Sequence, residues 1–312
     1  MTPSDQSPAP PLPEVSVIIA TYNSAATLRC AIASLVAQDM RDFEAWIIGD
    51  ACVDDSEAVV KSFGDARLHW HNLTTNTGIQ SGPNNEGLQR ARCAYVAYLG
   101  HDDLWFPWHL SDVLAEATST GADFVSATCL MLHPDGLHRV TGPIGRGRSH
   151  ADQYTPPSSW LHRREIAAKI GNWRDPATLG CGVDLDFQRR VALAGFACHE
   201  AARPSVLKFP SSWWRNYAPG QPHPQPDYVR RMAVDPEGVE RELLQCVVVR
   251  FARDENGARP MVELRRAVNA LLRRIADGYR RDRWPMSAYM FRRQQRFRRR
   301  DRPRRGLPPR ED

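Results

Sequence analysis

The stretch VSVIIATYNSAATLRCAIASLV, residues 15–36, decides the fold class of this chain. Val15–Ala20 is a short apolar run rich in β-branched residues, of the type found in buried parallel strands. Thr21–Ser24 follows and offers side chains that cap helices. From Leu28 to Val36 the apolar residues recur at helical spacing and form one face. The stretch therefore predicts a buried strand followed by an amphipathic helix.

The same alternation continues to about residue 130. Further strands are predicted at Phe43–Gly49, Arg67–His71, Ala94–Leu99 and Asp123–Leu130, with helices at about 54–63, 84–92 and 107–119. Short strands that alternate with helices form βαβ units around a parallel sheet. Beyond Pro134 the pattern loosens into a long loop at Gly142–Ser159, with helices predicted at about 162–169, 185–194, 236–253 and 259–281.

The two ends of the chain differ in composition from its body. Residues 1–13 are polar and proline-rich and are predicted to be a disordered leader. Residues 280–312 hold thirteen arginines against four acidic residues, so this end carries +9 and the rest carries −4 of the net charge of +5. We predict one large domain at 14–220, a helical C-terminal extension at 221–284 and a basic, disordered tail at 285–312.

Several classes of protein are disfavoured by what the sequence lacks. No segment approaches the roughly 20 consecutive apolar residues that a transmembrane helix needs. The seven cysteines include no CxxC pair, which fits reduced thiols in the cytoplasm. No glycine precedes Gly49, so the first strand does not enter a Gly-x-Gly-x-x-Gly turn, and a P-loop motif is absent as well. These absences argue against nicotinamide and P-loop chemistry.

Three polar clusters follow predicted strands, namely Thr21–Asn23, Asp50 and Asp102–Asp103. Ligands of open parallel sheets bind beyond the carboxyl ends of the strands. Neighbouring strands lie about 5 Å apart, so these clusters can line one cleft. Taken singly, each cluster is also explained by the preference of Asp and Asn for turns and caps.

Three segments together carry a family resemblance: VSVIIATYNSAATLRCAIASLVAQ, WIIGDACVDDS and NTGIQSGPNNEGLQRARCAYVAYLGHDDLW. They resemble the family-two glycosyltransferases of the GT-A fold, over about residues 14–205. The resemblance implies a Rossmann-like α/β fold with a mixed, mainly parallel sheet flanked by helices. It also implies the bacterial, non-processive type of enzyme, which transfers a single sugar from a nucleotide-diphosphate sugar with inversion.

The resemblance further implies roles for individual residues. The residues implied to bind the nucleotide sugar are Thr21, Tyr22, Asn23, Asp50, Asn76, Gly78, Asn85, His101 and Asp102. Asp50 corresponds to the acid that hydrogen-bonds the nucleobase. Asp102 corresponds to the last aspartate of the D-x-D motif, which holds Mg²⁺ or Mn²⁺ on the diphosphate. Asp184 corresponds to the catalytic base of an [ED]-D-x-x-x-x-x-R pattern.

The sequence departs from the family pattern at two positions. Gly100 stands where D-x-D has its first acid, and Val183 stands where the base motif has its first acid. Asp184 and Asp186 are both candidates for the base, and the spacing to Arg190 favours Asp184. The departures motivate an alternative, a non-catalytic nucleotide-sugar-binding protein of the same fold. The Q-x-x-R-W motif of processive relatives is absent.

The acceptor is expected to be a glycan or a lipid-linked sugar in bacterial cell-surface polysaccharide or glycolipid synthesis. Residues 291–305 combine nine arginines with Phe291 and Phe297. This cluster is either a solvated extension or an attachment to an anionic membrane surface. The protein is expected in the cytoplasm, and the second alternative would hold it at the inner membrane face. A nucleic-acid partner is not expected, because base-stacking aromatics are sparse and no nucleic-acid-binding motif is present. The segment Trp213–Asn216 is either a sugar- and phosphate-binding segment or part of the core.

Overall fold

The computed structural model describes residues 13–142, 150–151, 154–217 and 223–256. The strands and helices follow in chain order as β1 Val15–Thr21, α1 Ala25–Val36, β2 Phe43–Gly49, α2 Ser56–Ser62, β3 Leu68–Asn72, α3 Ser81–Arg90, β4 Tyr95–Tyr98, β5 Leu104–Trp105, α4 His109–Thr120, β6 Phe124–His133, β7 Gly136–Thr141, β8 Trp160–Arg163, α5 Glu165–Ile170, α6 Val183–Leu193, β9 Cys198–Lys208, α7 Ser211–Trp214, α8 Gln225–Val234 and α9 Pro236–Asn256. None of the helices in these residues is long and apolar enough to cross a membrane.

β1 lies inside a parallel layer, between β2 and β4. Val17 and Ile19 join Leu28 and Ile32 of α1 in one core cluster. Ile18 points to the other face of the sheet and joins a second cluster. Because side chains alternate between the two faces of a strand, a strand buried on both faces has an uninterrupted apolar sequence.

The described strands form one sheet in the order β3-β2-β1-β4-β8-β6-β9-β5, with β7 paired to β6. Strands β1–β4 (residues 15–98, the N-terminal half) pair with one another only in parallel. In strands β5–β9 (residues 104–208, the C-terminal half), β8 is antiparallel to β4 and β6, β5 is antiparallel to β9, and β6 is parallel to β9. The predicted mixed, mainly parallel sheet is confirmed.

The loop Leu99–Asp103 joins distant parts of this sheet. It leaves β4, next to β1, and enters β5, which pairs with β9 at the far edge. One short loop therefore spans the sheet, and the ends of β1, β2, β4 and β9 face a common space.

Aromatic residues fix the position of α6 against the sheet. Trp160 of β8 stacks on Trp173 with ring centroids 5.8 Å apart, and Trp173 stacks on Phe187 of α6 at 4.9 Å. All three rings are buried. The first turn of α6 is thereby held at the same edge of the sheet as the strand ends.

The predictions for residues 15–133 agree closely with the structure, and Phe43–Gly49 is β2 with the predicted bounds. The helix predicted at 162–169 is wrong at its start, because Trp160–Arg163 is a strand and α5 begins at Glu165. The cause is tertiary: β8 pairs with β4 and β6, and neither partner is visible in the local sequence. All but the last residue of the leader predicted at 1–13, the helix predicted at 259–281 and the tail predicted at 285–312 lie outside the described residues.

Candidate functional site

A cavity of about 420 Å³ opens at the carboxyl ends of β1, β2 and β4, and also reaches the end of β9 and the start of α6. Eight of the predicted site residues line it: Thr21, Tyr22, Asp50, Asn76, Gly78, His101, Asp102 and Asp184. Asn23 and Asn85 are not among its lining residues.

At one end of the cavity the Asp50 carboxylate holds the loop 76–78. Its Oδ1 accepts hydrogen bonds from the backbone N–H and the hydroxyl of Thr77, at 2.8 and 2.9 Å, and its Oδ2 accepts from the Gly78 N–H at 2.9 Å. Asn76 Nδ2 donates to the Asp50 backbone carbonyl at 2.8 Å. A carboxylate has about four acceptor sites, so one remains for a ligand N–H.

Thr21 belongs to the same end, and its buried hydroxyl has no partner among the described residues. Asn23 lies behind it with a φ of 42°, and its Oδ1 accepts from the Val53 N–H at 2.9 Å. The Asn85 amide makes two 2.9 Å hydrogen bonds with the backbone of Trp173, which tie α3 to the chain before α6. Both asparagines therefore support the site from outside the cavity.

His101 and Asp102 form the middle of the cavity. His101 Nδ1 lies 3.0 Å from a backbone carbonyl oxygen of β1, and its Nε2 lies 3.3 Å from the Tyr217 hydroxyl. Asp102 Oδ2 accepts a hydrogen bond from Asn216 Nδ2 at 2.7 Å. These contacts fix the orientation of both side chains before any ligand binds.

The surroundings of Asp102 fit a divalent cation. The Asn216 Oδ1 and His223 Nδ1 atoms are buried and unpartnered within the described ranges. Burial lowers the pKa of His223, while the Asp102 carboxylate opposes that shift. Carboxylate and amide oxygens suit Mg²⁺ and Mn²⁺. No three His, Cys, Asp or Glu side chains of the described residues are grouped to hold a metal, so Asp102 would share the ion with ligand oxygens and water.

Asp103, the next residue, is fully buried and pairs with Lys208 at the end of β9. Lys208 Nζ lies 2.7 Å from Asp103 Oδ2, which also accepts a hydrogen bond from the Ser158 hydroxyl. Asp103 Oδ1 accepts from the Phe209 N–H at 3.1 Å. Burial alone would lower the pKa of Lys208, but the carboxylates of Asp103 and Asp102 more than offset it and raise that pKa. Lys208 is therefore a cation in the cavity wall.

Gly100 leaves room for this ion pair. A Cβ at position 100 would lie 2.6 Å from Asp103 Oδ2 and 3.2 Å from Asp102 Oδ1. The position where the family pattern has its first acid therefore accepts no side chain unless Asp103 moves. The departure from D-x-D is part of the packing around the Asp103–Lys208 pair.

The first turn of α6 carries both candidate bases, and the structure separates them. Asp184 lines the cavity. Asp186 does not, and its carboxylate pairs with Arg190 at 2.9 Å and with Arg174 at 3.5 Å. Tyr154 also lines the cavity, and burial together with the charge of Asp184 raises the pKa of its phenol. The phenol thus stays protonated and can donate a hydrogen bond to Asp184.

Residues 16–154 match the family model described as Glycosyl transferase family 2. The match covers a little under half of the chain, so residues 16–154 are similar to glycosyl transferase family 2. The family 2 match includes the loops that carry Asp50 and Asp102 and ends at Tyr154. The segment that carries Asp184 lies beyond it.

Three curated relatives have informative names. The chain is 31% identical over 125 residues to the succinoglycan biosynthesis protein ExoO of Rhizobium meliloti, covering 40% of this chain and 36% of that protein. It is 32% identical over 125 residues to the GalNAc(5)-diNAcBac-PP-undecaprenol beta-1,3-glucosyltransferase of Campylobacter jejuni, covering 38% and 39%. It is 32% identical over 116 residues to the poly(ribitol-phosphate) beta-N-acetylglucosaminyltransferase TarP of Staphylococcus aureus, covering 36% and 35%. The chain thus matches little more than a third of the length of each.

Solved structures share the fold. TarS 1–349 of S. aureus in complex with UDP-GlcNAc superposes with a TM-score of 0.56 at 19% identity, covering 63% of this chain and 58% of that one. The mannosyltransferase PcManGT of Pyrobaculum calidifontis in complex with GDP-Man and Mn²⁺ gives 0.50 at 16% identity, covering 83% and 80%. The GT-A fold inferred from the sequence is confirmed.

Two cavity residues, Tyr154 and Lys208, were not predicted from the sequence. Lys208 has a recognisable signal, since it is one of only three lysines in the chain and interrupts the apolar run Val206–Phe209. Tyr154 has none that we can identify. In the segment Trp213–Asn216 the two tryptophans pack against core clusters, whereas Asn216 hydrogen-bonds Asp102.

Proposed function

We propose that this protein transfers a single sugar from a nucleoside diphosphate sugar to an acceptor hydroxyl, with inversion at the anomeric carbon. The observation that carries the proposal is that Asp50, Asp102 and Asp184 line one cavity. They follow β2, follow β4 and begin α6, respectively. A ligand that contacts all three extends along the carboxyl edge of the sheet, which suits an elongated nucleotide sugar.

The nucleoside is proposed to bind at the Asp50 end of the cavity. Asp50 keeps one acceptor site for a ring N–H, and the Thr21 hydroxyl is free of partners in the described part of the chain. Tyr22 and Gly78 line the same end. Because the loop 76–78 is already held by Asp50, little ordering is required on binding.

The diphosphate is proposed to lie beside Asp102. Asp102 and the Asn216 amide oxygen would hold Mg²⁺ or Mn²⁺ together with oxygens of the ligand. The divalent ion supplies positive charge that stabilises a departing diphosphate. Asn216 also donates a hydrogen bond to Asp102 Oδ2, which fixes the carboxylate that faces the ion.

Asp184 is proposed to be the general base. It lines the cavity at the start of α6, and the protonated phenol of Tyr154 lies beside it. Removal of the acceptor proton by a positioned base typically contributes about 10²–10⁴ in rate. With the base on one side of the sugar and the diphosphate on the other, a single displacement inverts the anomeric configuration.

The acceptor is proposed to be a glycan or a lipid-linked sugar, within bacterial cell-surface polysaccharide or glycolipid synthesis. The names of ExoO and of the undecaprenol-linked glucosyltransferase support this class. Single-sugar transfer is supported by the absence of Q-x-x-R-W from the sequence.

The arginine cluster at 291–305, which lies outside the described residues, is proposed to hold the protein reversibly at the cytoplasmic face of an anionic membrane. Each arginine near such a surface contributes on the order of 1 kcal/mol. Deletion of 285–312 should abolish salt-sensitive sedimentation with anionic vesicles while leaving nucleotide-sugar binding intact. Equal sedimentation of the two proteins at low salt would remove the membrane role.

A panel of UDP- and GDP-sugars, with and without Mg²⁺ or Mn²⁺, tests the proposed transfer reaction. We expect a metal-dependent rise in melting temperature with at least one donor, and slow release of the nucleoside diphosphate. Asp102→Ala should lose the metal dependence, whereas Asp175→Ala, at an exposed acid outside the cavity, should keep it.

Binding without turnover in the presence of acceptor extracts would instead support the non-catalytic nucleotide-sugar-binding protein that Gly100 and Val183 suggest. Full turnover in excess EDTA would remove the metal role of Asp102.

A further inference from the structure

Lys208 lines the cavity but has no role in the proposed mechanism. Its ammonium lies in the cavity wall beside Asp102 and Asp103, and its side chain is 18% exposed. The other two lysines of the chain, Lys61 and Lys169, are 71% and 61% exposed and belong to surface i,i+4 pairs. Lys208 is therefore the one mostly buried lysine of the three in this sequence.

Asp103 does not use up the hydrogen-bonding capacity of Lys208. An ammonium group has three N–H donors, and among the described residues Lys208 donates one hydrogen bond, to Asp103 Oδ2. Asp103 is satisfied from other directions as well, by the Ser158 hydroxyl and the Phe209 N–H. Lys208 thus keeps donors for a ligand in the cavity.

Lys208 offsets part of the negative charge at this point of the cavity. Asp102 and Asp103 alone would place two negative charges beside the bound diphosphate. Gly100 removes a third, and the space that it leaves is occupied by the Asp103 carboxylate in its pair with Lys208. Position 100 therefore adds no acid here, and Lys208 places a cation beside the two aspartates.

We propose that Lys208 binds the terminal phosphate of the nucleoside diphosphate directly, so that part of the nucleotide affinity of this chain needs no divalent ion. The proposal rests on the proposed transferase function. The strand order supports it. The proposed nucleoside end of the cavity is at β2, and β9, which carries Lys208, lies five strands further along the sheet. The loop Leu99–Asp103 connects β4 to β5, which pairs with β9, and so places Asp102 and Asp103 beside Lys208.

The test compares Asp103→Asn with the double variant Asp103→Asn/Lys208→Met, since position 103 is then neutral in both and the loss of Lys208 leaves no buried Asp103 carboxylate without its partner. Calorimetry in excess EDTA measures the dissociation constants of UDP and UMP, and of GDP and GMP. We expect the diphosphate-over-monophosphate preference to be about tenfold or more smaller in the double variant, the size of a lost charged hydrogen bond. Lys169→Met is the matched control for loss of one positive charge, and its preference should equal that of the wild type.

Asp103→Asn alone should bind the diphosphate more tightly than the wild type in EDTA, because it frees Lys208 from its partner. If instead Asp103→Asn and the double variant have the same preference, Lys208 serves only as the counterion of Asp103 and the inference is overturned. The two proposals fail differently. No binding of any nucleotide by the wild type, even with Mg²⁺, would overturn the transferase function itself.

Discussion

The two halves of the sheet hold their polar site residues in different ways. In the N-terminal half, Asp50 is satisfied by Thr77 and Gly78 on a neighbouring loop, mainly through backbone groups. Across the junction to the C-terminal half, Asp103 depends on Lys208, which is 105 residues further along the chain. The proposed nucleoside end is therefore formed by residues of the N-terminal half alone. The proposed reacting end forms only when β9 of the C-terminal half has packed beside the loop Leu99–Asp103. Changes in the two halves should accordingly affect different measured quantities.

The largest expected effect is at the reacting end. Asp184→Asn should lower the transfer rate by about 10² or more and leave donor affinity nearly unchanged, because only proton removal is lost. Asp50→Asn is the matched change at the other end and should weaken donor binding about tenfold with a smaller effect on the rate. Single-turnover rates and calorimetric affinities separate the two outcomes.

Asp186→Asn serves as the control on α6. It removes the partner of Arg190 and should lower the melting temperature while folded protein keeps its transfer rate. A large rate loss in Asp186→Asn together with a normal rate in Asp184→Asn would show that the base is two residues further along the helix.

Gly100→Ala tests the junction between the two halves. The added Cβ would lie 2.6 Å from Asp103 Oδ2, so either the ion pair with Lys208 or the loop must shift. We expect a loss of about 1–3 kcal/mol in the free energy of unfolding, as for other overpacked sites. Gly121→Ala is a poor control, because the φ of 71° at Gly121 adds strain of its own. Ala115→Gly, on the partly exposed face of α4, is a better one, and urea unfolding measures both.

The last expected effect concerns pH and again distinguishes the halves. Burial lowers the pKa of His109 to about 3 and, as the largest cause, lowers those of His150 and His162 to about 4. All three lie beyond the N-terminal half. Between pH 6.5 and these values the unfolded chain binds protons that the folded chain excludes. The contribution of these histidines to the free energy of unfolding is therefore fully present above about pH 6.5. It falls as the pH drops, by about 1.4 kcal/mol per pH unit for each histidine.

His109→Phe should reduce the slope of the free energy of unfolding against pH by about 1.4 kcal/mol per pH unit, the contribution of one histidine. Trp105→Phe is the control, since Trp105 stacks on His109 but does not titrate. It should lower stability at every pH and leave the slope between pH 4 and 6.5 unchanged. An unchanged slope in His109→Phe would contradict a neutral, buried His109.

The N-terminal half could be predicted from the sequence because its signals are local. Alternating strands and helices give β1, α1 and β2 nearly to the residue, and polar residues at strand ends mark the cavity. Asp50 and Asp102 both line that cavity, as their positions after β2 and β4 suggest.

The C-terminal half resisted prediction because its determinants are distant in sequence. β8 is a strand through its pairing with β4 and β6, and its own four residues carry no such signal. Lys208 points into the cavity because β5 pairs with β9. Asn85 shows the opposite case, since it lies in a motif-like segment but hydrogen-bonds the backbone of Trp173.

The loop Leu99–Asp103 has a consequence for how such a protein can be recombined. Its aspartates directly follow the N-terminal half in sequence, but Lys208, the Phe209 N–H and Asn216 hold them from more than 100 residues further along the chain. A chimera joined after Asp103 to a foreign second half would inherit these carboxylates without the groups that orient them. If the protein transfers a sugar as proposed, its donor and acceptor specificities cannot be exchanged separately, and a working exchange must carry both sides of this loop together.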